Sequence, residues 1–212
     1  RFSKKIGCDG FQELKLKLSS EIALLPYLET KETDGKPDIK KGLGEIGDII
    51  KESLKAYNED NIQPLLEMLY AKDVIYVHGV GLSHLAALNL HQKLNRVGKI
   101  CIPINDRALA KQSMFTNPDR ILYWGISNSG TSQEILDVMN LTKELGIPSV
   151  TLTSPRPNPM AESSDFPLFT CDVSPEPSAS NPSIYAQFAL IDYLFLSYIK
   201  KYNIHIEKSE LF

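Results

Sequence analysis

The sequence predicts an α/β domain in which helices cover both faces of a five-stranded parallel sheet. From residue 73 onwards, short apolar runs such as Val74-Ile75-Tyr76-Val77-His78 alternate with helical patterns. The runs are apolar throughout rather than at every second position, which is typical of strands buried on both faces. Strands that alternate with helices in this way form a three-layer α-β-α sandwich with right-handed crossovers.

The predicted elements follow one another regularly along the chain. Strands are predicted at residues 74–78, 99–104, 120–126, 149–153 and 167–170. Helices are predicted after the first strand up to about residue 97, at 108–115 and at 131–145, and an apolar final helix at 182–201. Two further helices precede the first strand, one around residues 46–54 and one at about 62–71, where Pro64 is tolerated in the first turn.

The composition limits the classes of function. Of the 212 residues, 42% are hydrophobic, which supports a full core, and the net charge of −3 argues against a chain-wide surface for polyanions. No apolar run approaches the roughly 20 residues that a membrane span requires. Cys8, Cys101 and Cys171 are too few and too widely spaced for a disulfide frame or a metal site. We therefore expect a cytoplasmic protein that binds no metal or cofactor and does not enter a membrane.

The most informative stretch is the loop at which the third predicted strand gives way to a helix. It reads Ser127-Asn128-Ser129-Gly130-Thr131-Ser132. Ser and Thr at a helix start can cap the free N–H groups of the first turn, and this interpretation stays open. The same hydroxyl and N–H groups can hold an anion at the positive end of the helix, and Gly130 permits the close approach of a phosphate.

A second loop, Gly79-Val80-Gly81-Leu82-Ser83, follows the first predicted strand. It lacks the third glycine of a dinucleotide-binding fingerprint and the Gly-Lys-Ser/Thr of a nucleoside-triphosphate site. Both loops lie at the carboxyl ends of strands, where open α/β sheets bind their ligands. Two hydroxyl-bearing loops in that position predict a site for a small phosphate ester such as a sugar phosphate.

These motifs resemble the sugar isomerase (SIS) domain family over about residues 45–200. The resemblance rests on Gly79-x-Gly81-x-Ser83, Lys93-Leu94-x-Arg96-x-Gly98 and Ser127-x-Ser129-Gly130-x-Ser132-x-Glu134. Members of this family are five-stranded parallel α/β sandwiches that bind phosphosugars. The motif more usually reads Ser-Gly-Glu-Thr, from which Thr131 and Ser132 depart mildly, although serine in place of threonine keeps the hydroxyl.

The resemblance also implies roles for individual residues. In this family the loop after the third strand holds the phosphate, which makes Ser127, Ser129, Gly130, Thr131, Ser132 and, from the neighbouring loop, Ser83 the candidate phosphate-binding residues. Candidates for contacts with the sugar are Gly81, His78, Glu176 and Ser183.

The first residues of the chain resemble part of a different domain. Arg1 to Lys15 is similar to the end of the helix-turn-helix domain of RpiR/MurR-type transcriptional regulators, where a recognition helix ends in Arg-Phe-x-Lys-Lys-Leu-Gly. We therefore expect residues 1–25 to be the C-terminal part of that domain, 26–44 a linker and 45–212 the SIS domain. The helix that reads DNA would lie mostly before Arg1. Arg1, Lys4 and Lys5 are candidates for contacts with DNA phosphates, which position a protein without reading sequence.

Two functions remain open, a sensor and an isomerase. An aldose–ketose phosphosugar isomerase needs a base, and Glu134, about one turn into the helix after the phosphate loop, is the best carboxylate. Compensation of the helix dipole is the other role for Glu134. Related isomerases often carry a catalytic histidine near residues 174–183, and none stands there.

The absent histidine and the helix-turn-helix resemblance together favour a phosphosugar-sensing bacterial transcriptional regulator that is not an enzyme. Its expected partners are a sugar phosphate effector, operator DNA and further copies of the chain, in a dimer or tetramer that matches palindromic half-sites. The apolar helices at 46–54 and 184–199 are candidates for the dimer surface.

Overall fold

The chain folds around five parallel strands in the order β2-β1-β3-β4-β5. The structure is a computed structural model that describes residues 39–171 and 183–205. The strands are β1 (Val74–Gly79), β2 (Ile100–Pro103), β3 (Ile121–Ile126), β4 (Ser149–Thr153) and β5 (Phe166–Phe169). The helices in these ranges are α1 (Ile39–Lys55), α2 (Glu59–Ala71), α3 (Leu82–Arg96), α4 (Arg107–Met114), α5 (Gln133–Glu144), α6 (Pro159–Ser163) and α7 (Ser183–Tyr202), with a 3-10 turn at Pro118–Arg120. The segment 1–25 with Arg1, Lys4 and Lys5 lies outside the described residues, as does Glu176.

The predicted α/β sandwich is confirmed, and each strand lies within one residue of its expected bounds. The helices differ more from their predicted bounds. Helix α1 begins at Ile39, inside the stretch 26–44 whose composition predicted a linker. Helix α2 begins at Glu59 because Asn58 accepts hydrogen bonds from two backbone N–H groups and forms a capping box with Asn61. The short helix α6 was not predicted, since five residues are too few to show a helical period.

Apolar layers cover both faces of the sheet. On one face, side chains of α2, α3 and α7 pack with Trp124 of β3 in the larger core. On the other face, α4, α5 and α6 pack around Tyr123 in the second core. The apolar stripe of α7, a predicted candidate for a dimer surface, is largely buried inside this subunit through Leu190, Ile191 and Leu194.

Within residues 39–171 and 183–205, the helices are all too short or too polar to cross a membrane.

Candidate ligand-binding site

The strand order reverses next to β1, and this reversal brings two loops together. From β1 the chain passes to β2 on one side and then to β3 on the other side. Gly79, the last residue of β1, lies opposite Ile126, the last residue of β3. The loops 79–83 and 127–132 therefore leave the sheet from adjacent strand ends. Open α/β sheets bind ligands in the crevice at such a switch point.

The loop 127–132, which we call the serine loop, gathers hydroxyl groups in one place. Ser129 Oγ lies 3.0 Å from Thr131 Oγ1 and 3.5 Å from Ser127 Oγ. The Gly130 N–H donates to Ser127 Oγ and the Thr131 N–H to Ser129 Oγ, both at 3.3 Å. Hydrogen bonds of this length are weak, whereas bonds to a charged acceptor are shorter and stronger. The hydroxyl groups can therefore rotate and donate to a bound anion at little cost in free energy.

The serine loop requires glycine at position 130. Gly130 has a φ of +64°, and a Cβ at this position would lie 2.0 Å from Asn158 Oδ1. Asn158 is buried, and its Nδ2 group donates to Thr153 Oγ1 at 3.2 Å and to the Ser154 carbonyl at 3.4 Å. The Met160 N–H donates to the Gly130 carbonyl at 3.2 Å. The N-cap residue and the first turn of α6 thus fix the shape of the serine loop, a role that the sequence did not reveal.

Ser132 occupies the N-cap position of α5, but its side chain makes no capping hydrogen bond. The first N–H groups of a helix have no intrahelical acceptors, and the helix dipole is positive there. The structure therefore argues against the interpretation of Ser132 as an ordinary helix cap. Its role as a phosphate ligand stays a prediction.

The loop after β1 packs tightly against α3. A Cβ at Gly79 would lie 2.3 Å from the Ser83 carbonyl oxygen, so glycine is needed where the first turn of α3 meets the end of β1. Ser83 is only 9% exposed, and its Oγ accepts a hydrogen bond from Gln187 Nε2 of α7 at 3.3 Å. Ser183, at the start of α7, is also buried. The contacts of Ser83 and Ser183 with a ligand therefore stay predictions.

An open cleft of about 340 Å³ lies at the carboxyl ends of β1 and β2. It is lined by His78, Gly79, Val80, Gly81, His84, Ile104, Asn105, Arg107 and Glu134. The structure thus brings three of the predicted candidates, His78, Gly81 and Glu134, to one cavity. Arg107 was not among the predicted candidates. Its position shortly after β2 was a usable signal, because the carboxyl ends of parallel strands meet at one edge of the sheet.

His78 lies in this cleft as a buried, neutral ring. It is 3% exposed, and its Nδ1 lies 3.0 Å from the Tyr123 hydroxyl oxygen. Burial, and secondarily electrostatic repulsion from Arg107 and His84, lowers the pKa of His78 to about 4. A neutral imidazole has one donor and one acceptor nitrogen. His78 can therefore exchange a hydrogen bond with a hydroxyl group but offers a phosphate no positive charge.

The part of the chain that the structure describes holds no group of three or more His, Cys, Asp or Glu side chains placed to bind a metal ion.

The fold and its loops define a class of protein, the parallel α/β sandwich with a hydroxyl-rich loop and a glycine loop at the switch point of the sheet. The chain belongs to the SIS domain family, whose model matches residues 68–197. The family predicted from the two loops is thereby confirmed.

Known relatives agree with this assignment. An uncharacterized HTH-type transcriptional regulator of Clostridium perfringens is 28% identical over 209 residues, which cover 95% of this chain and 75% of that protein. The structure of Vibrio vulnificus NanR complexed with ManNAc-6P superposes with a TM-score of 0.73 at 21% identity, over 95% of this chain and 73% of that one. The sugar isomerase domain of an RpiR transcription factor from Sphaerobacter thermophilus gives a TM-score of 0.63 at 18% identity, over 79% and 99% of the two chains.

A solved structure with an inferred enzymatic function shares the fold as well. A Methanococcus jannaschii protein with the inferred function of a 3-hexulose-6-phosphate isomerase gives a TM-score of 0.64 at 17% identity, over 78% of this chain and 93% of that one. At such identities a structural likeness shows the fold alone. The choice between sensor and enzyme therefore depends on the site.

Proposed function

We propose that this chain is the effector-binding part of a bacterial transcriptional regulator and that its SIS domain binds a sugar phosphate. The observation that carries the proposal is the serine loop, where Ser129 Oγ lies 3.5 Å from Ser127 Oγ and 3.0 Å from Thr131 Oγ1. Ser132 adds a hydroxyl at the positive end of α5 that makes no capping hydrogen bond within the described part of the chain. Each hydrogen bond to a charged phosphate oxygen contributes about 1.5–3 kcal/mol, so three or four bonds suffice for selective binding.

The relatives support the regulatory part of the proposal. The Clostridium perfringens relative is an HTH-type transcriptional regulator, and NanR is a protein of this fold complexed with the sugar phosphate ManNAc-6P. We extend both properties to this chain, with operator DNA bound through an N-terminal helix-turn-helix domain in a cytoplasmic homo-oligomer. Binding of the effector then shifts the arrangement of paired SIS domains, and with it the spacing of the DNA-binding domains.

Binding without turnover fits the residues of the cleft. An isomerase base must be held within reach of the proton that it removes. Glu134 is exposed, and among the described residues no hydrogen bond or ion pair orients its carboxylate. His78 is neutral, and its Nδ1 is already engaged by Tyr123.

A thermal-shift panel tests the binding proposal. Aldose and ketose phosphates with five and six carbons are compared with the parent sugars and with inorganic phosphate. We expect at least one sugar phosphate to stabilise the protein by about 2–4 kcal/mol at saturation, and the parent sugars to have no effect. If no phosphorylated sugar raises the melting temperature, the proposal is wrong.

An activity assay tests the distinction from an isomerase. The protein is mixed with arabinose 5-phosphate, hexulose 6-phosphate or fructose 6-phosphate, and the epimeric or isomeric product is measured. We expect no turnover. Turnover that disappears in Glu134→Gln would instead make this chain an isomerase with Glu134 as its base.

A further inference from the structure

The side chains of His78 and Tyr123 meet on the sheet face that α4, α5 and α6 cover. Tyr123 lies opposite Tyr76 in the register of β1 and β3, and His78 follows two residues further along β1. Residues two apart on a strand point to the same face, so both rings lie on that face. Their centroids are 6.4 Å apart with the ring planes inclined by 77°, and His78 Nδ1 lies 3.0 Å from the Tyr123 hydroxyl oxygen. The pair therefore connects the second core, which contains Tyr123, to the cleft that His78 lines.

The Tyr123 hydroxyl acts as the donor in this contact. Tyr123 is fully buried, and burial raises the pKa of its hydroxyl well above the usual range, so the proton stays on the oxygen. A buried hydroxyl needs an acceptor, and two lie near it, His78 Nδ1 at 3.0 Å and the Ile135 carbonyl oxygen at 3.5 Å. The first distance is normal for a hydrogen bond, whereas the second is beyond the usual range for a hydroxyl donor. The hydroxyl therefore donates to His78 Nδ1.

The direction of this hydrogen bond decides which nitrogen of His78 carries the proton. The ring is neutral, because burial lowers its pKa to about 4, and a neutral imidazole has one N–H group and one acceptor nitrogen. With Nδ1 as the acceptor, the proton is on Nε2. Among the described residues, the buried side-chain polar atoms without a hydrogen-bond partner are Asn89 Oδ1, Trp124 Nε1, Thr151 Oγ1 and Gln187 Oε1. His78 Nε2 is not one of them and has no protein partner in the same ranges, so it faces the cleft.

We propose that Tyr123 is a positioning residue that holds the proton of His78 on Nε2, and that this N–H group donates a hydrogen bond to a hydroxyl or carbonyl oxygen of the effector in the cleft. The inference rests on the proposed function, because the acceptor oxygen belongs to the sugar phosphate. Glu134 lines the same cleft, and an ionised carboxylate only accepts, so the cleft offers a sugar hydroxyl both a donor and an acceptor. A protonated Nε2 has no lone pair with which to remove a proton from the sugar, so this tautomer fits binding without turnover.

Nuclear magnetic resonance of the unliganded protein tests the tautomer. Two-bond correlations between ring protons and ring nitrogens distinguish the two tautomers, and comparison with His78→Gln assigns the His78 signals among the four histidines of the chain. We expect the proton on Nε2. In Tyr123→Phe, which removes only the hydroxyl, the pKa of His78 should rise from about 4 to about 5, because the neutral ring loses a donated hydrogen bond. If Nδ1 instead donated to Tyr123, the same substitution would lower the pKa, since the charged ring would lose an acceptor.

Affinity measurements test the contact between His78 and the effector. Calorimetric titration with the sugar phosphate that stabilises the protein most compares the unaltered protein with His78→Leu, His78→Gln and His205→Leu. We expect His78→Leu to bind about tenfold more weakly, because one hydrogen bond is lost. His78→Gln keeps a side-chain N–H donor and should bind within about threefold of the unaltered protein. His205→Leu is the control, since it removes an exposed histidine outside the cleft, and its affinity should not change.

The outcomes separate this inference from the proposed function. A proton on Nδ1 in the unaltered protein, or a lower pKa of His78 in Tyr123→Phe, overturns the inference and leaves the proposed function standing. If Tyr123→Phe does not fold, the tautomer of the unaltered protein decides. Full affinity of a folded His78→Leu protein also overturns the inference, because His78 would then make no contact with the effector. Failure of every sugar phosphate to bind overturns the proposed function together with that contact, whereas the tautomer is measured without a ligand.

Discussion

The molecule has a cavity at each end of its sheet, and the larger one is not the better candidate for a ligand site. A cavity of about 470 Å³ lies at the amino ends of β1, β2 and β3, against about 340 Å³ for the cleft at the carboxyl ends. The amino-end cavity is lined by Tyr70, Asp73, Val97, Gly98, Lys99, Ile100, Arg120, Tyr198, Tyr202 and Ile204. It thus contains cations and aromatic rings, as many binding sites do.

The difference lies in the partners of the polar groups. At the amino end, Lys99 Nζ donates to the carbonyls of Tyr70 at 2.6 Å and Lys72 at 2.9 Å, and Arg120 is hydrogen-bonded to Asp73. At the carboxyl end, the ionic partner of Arg107 among the described residues is Asp137, 3.7 Å away, and Ser132 makes no capping bond. Polar groups that already have partners stabilise the fold, whereas uncommitted groups can bind a ligand. The partners of the polar groups therefore identify the site better than cavity volume does.

The largest effect is expected from Gly130→Ala, which disrupts the serine loop. The added Cβ would meet Asn158 at 2.0 Å at a φ of +64°, so Asn158 must move and lose buried hydrogen bonds. Gly146→Ala is a matched control, because Gly146 has a φ of +67° but nothing within 4 Å of the added Cβ. We expect Gly146→Ala to cost about 1 kcal/mol and Gly130→Ala about 3 kcal/mol more.

Chemical denaturation measures both glycine variants, and the thermal shift with a sugar phosphate shows whether binding survives. Gly130→Ala should abolish the rise in melting temperature caused by the sugar phosphate, whereas Gly146→Ala should retain it. Equal free energies of unfolding for the two variants would contradict the contact between Gly130 and Asn158 as the support of the serine loop.

The second-largest effect is expected in the pH dependence of stability and arises from His78. Its pKa is about 4 in the folded protein, against 6.5 for an unperturbed histidine. Below pH 6.5 the unfolded chain binds a proton that the folded protein does not bind until about pH 4, so stability falls as the pH is lowered through this window. Between pH 7.5 and 4.5 we expect a loss of about 2.5 kcal/mol from this residue.

Denaturation of the unaltered protein and of His78→Gln at both pH values measures this loss. The unaltered protein should lose about 2.5 kcal/mol more than the variant does. Parallel pH profiles would show that His78 is not held neutral in the cleft.

The smallest effect is expected at the amino end of the sheet. Lys99→Met keeps the length of the side chain but leaves the carbonyls of Tyr70 and Lys72 without their donor, which should cost about 1–2 kcal/mol of stability. The affinity for a sugar phosphate should not change, because the amino-end cavity is not the site. A loss of affinity in a folded Lys99→Met protein, measured by calorimetry, would show that the amino-end cavity is the ligand site.

The sequence predicted the sheet well because its strands are continuous apolar runs bounded by glycine, proline or polar residues. Ser127, Ser129, Thr131 and Ser132 could be singled out for the same reason, since the end of β3 was well defined. The sequence also identified His78, Gly81 and Glu134, which the structure places on one cleft.

Tertiary contacts explain what the sequence did not predict. The contact between Gly130 and Asn158 joins segments that are distant in sequence, and α6 is too short to show a period. The position of Arg107 shortly after β2 could have placed it at the carboxyl edge of the sheet, but its entry into the cleft depends on the packing of α4 beside α5. Ser83 was correctly placed after β1, but its burial and its bond to Gln187 depend on α7.

The most direct test of the central claim is a calorimetric titration with the panel member that stabilises the protein most. The titration compares the unaltered protein, the double variant Ser129→Ala with Ser132→Ala, and Ser197→Ala, which removes a hydroxyl bonded to the Tyr193 carbonyl on α7. Loss of two charge-assisted hydrogen bonds predicts an affinity at least about 100-fold lower for the double variant and no change for Ser197→Ala. A double variant that folds and binds the sugar phosphate as tightly as the unaltered protein would contradict the assignment of the serine loop as the phosphate site.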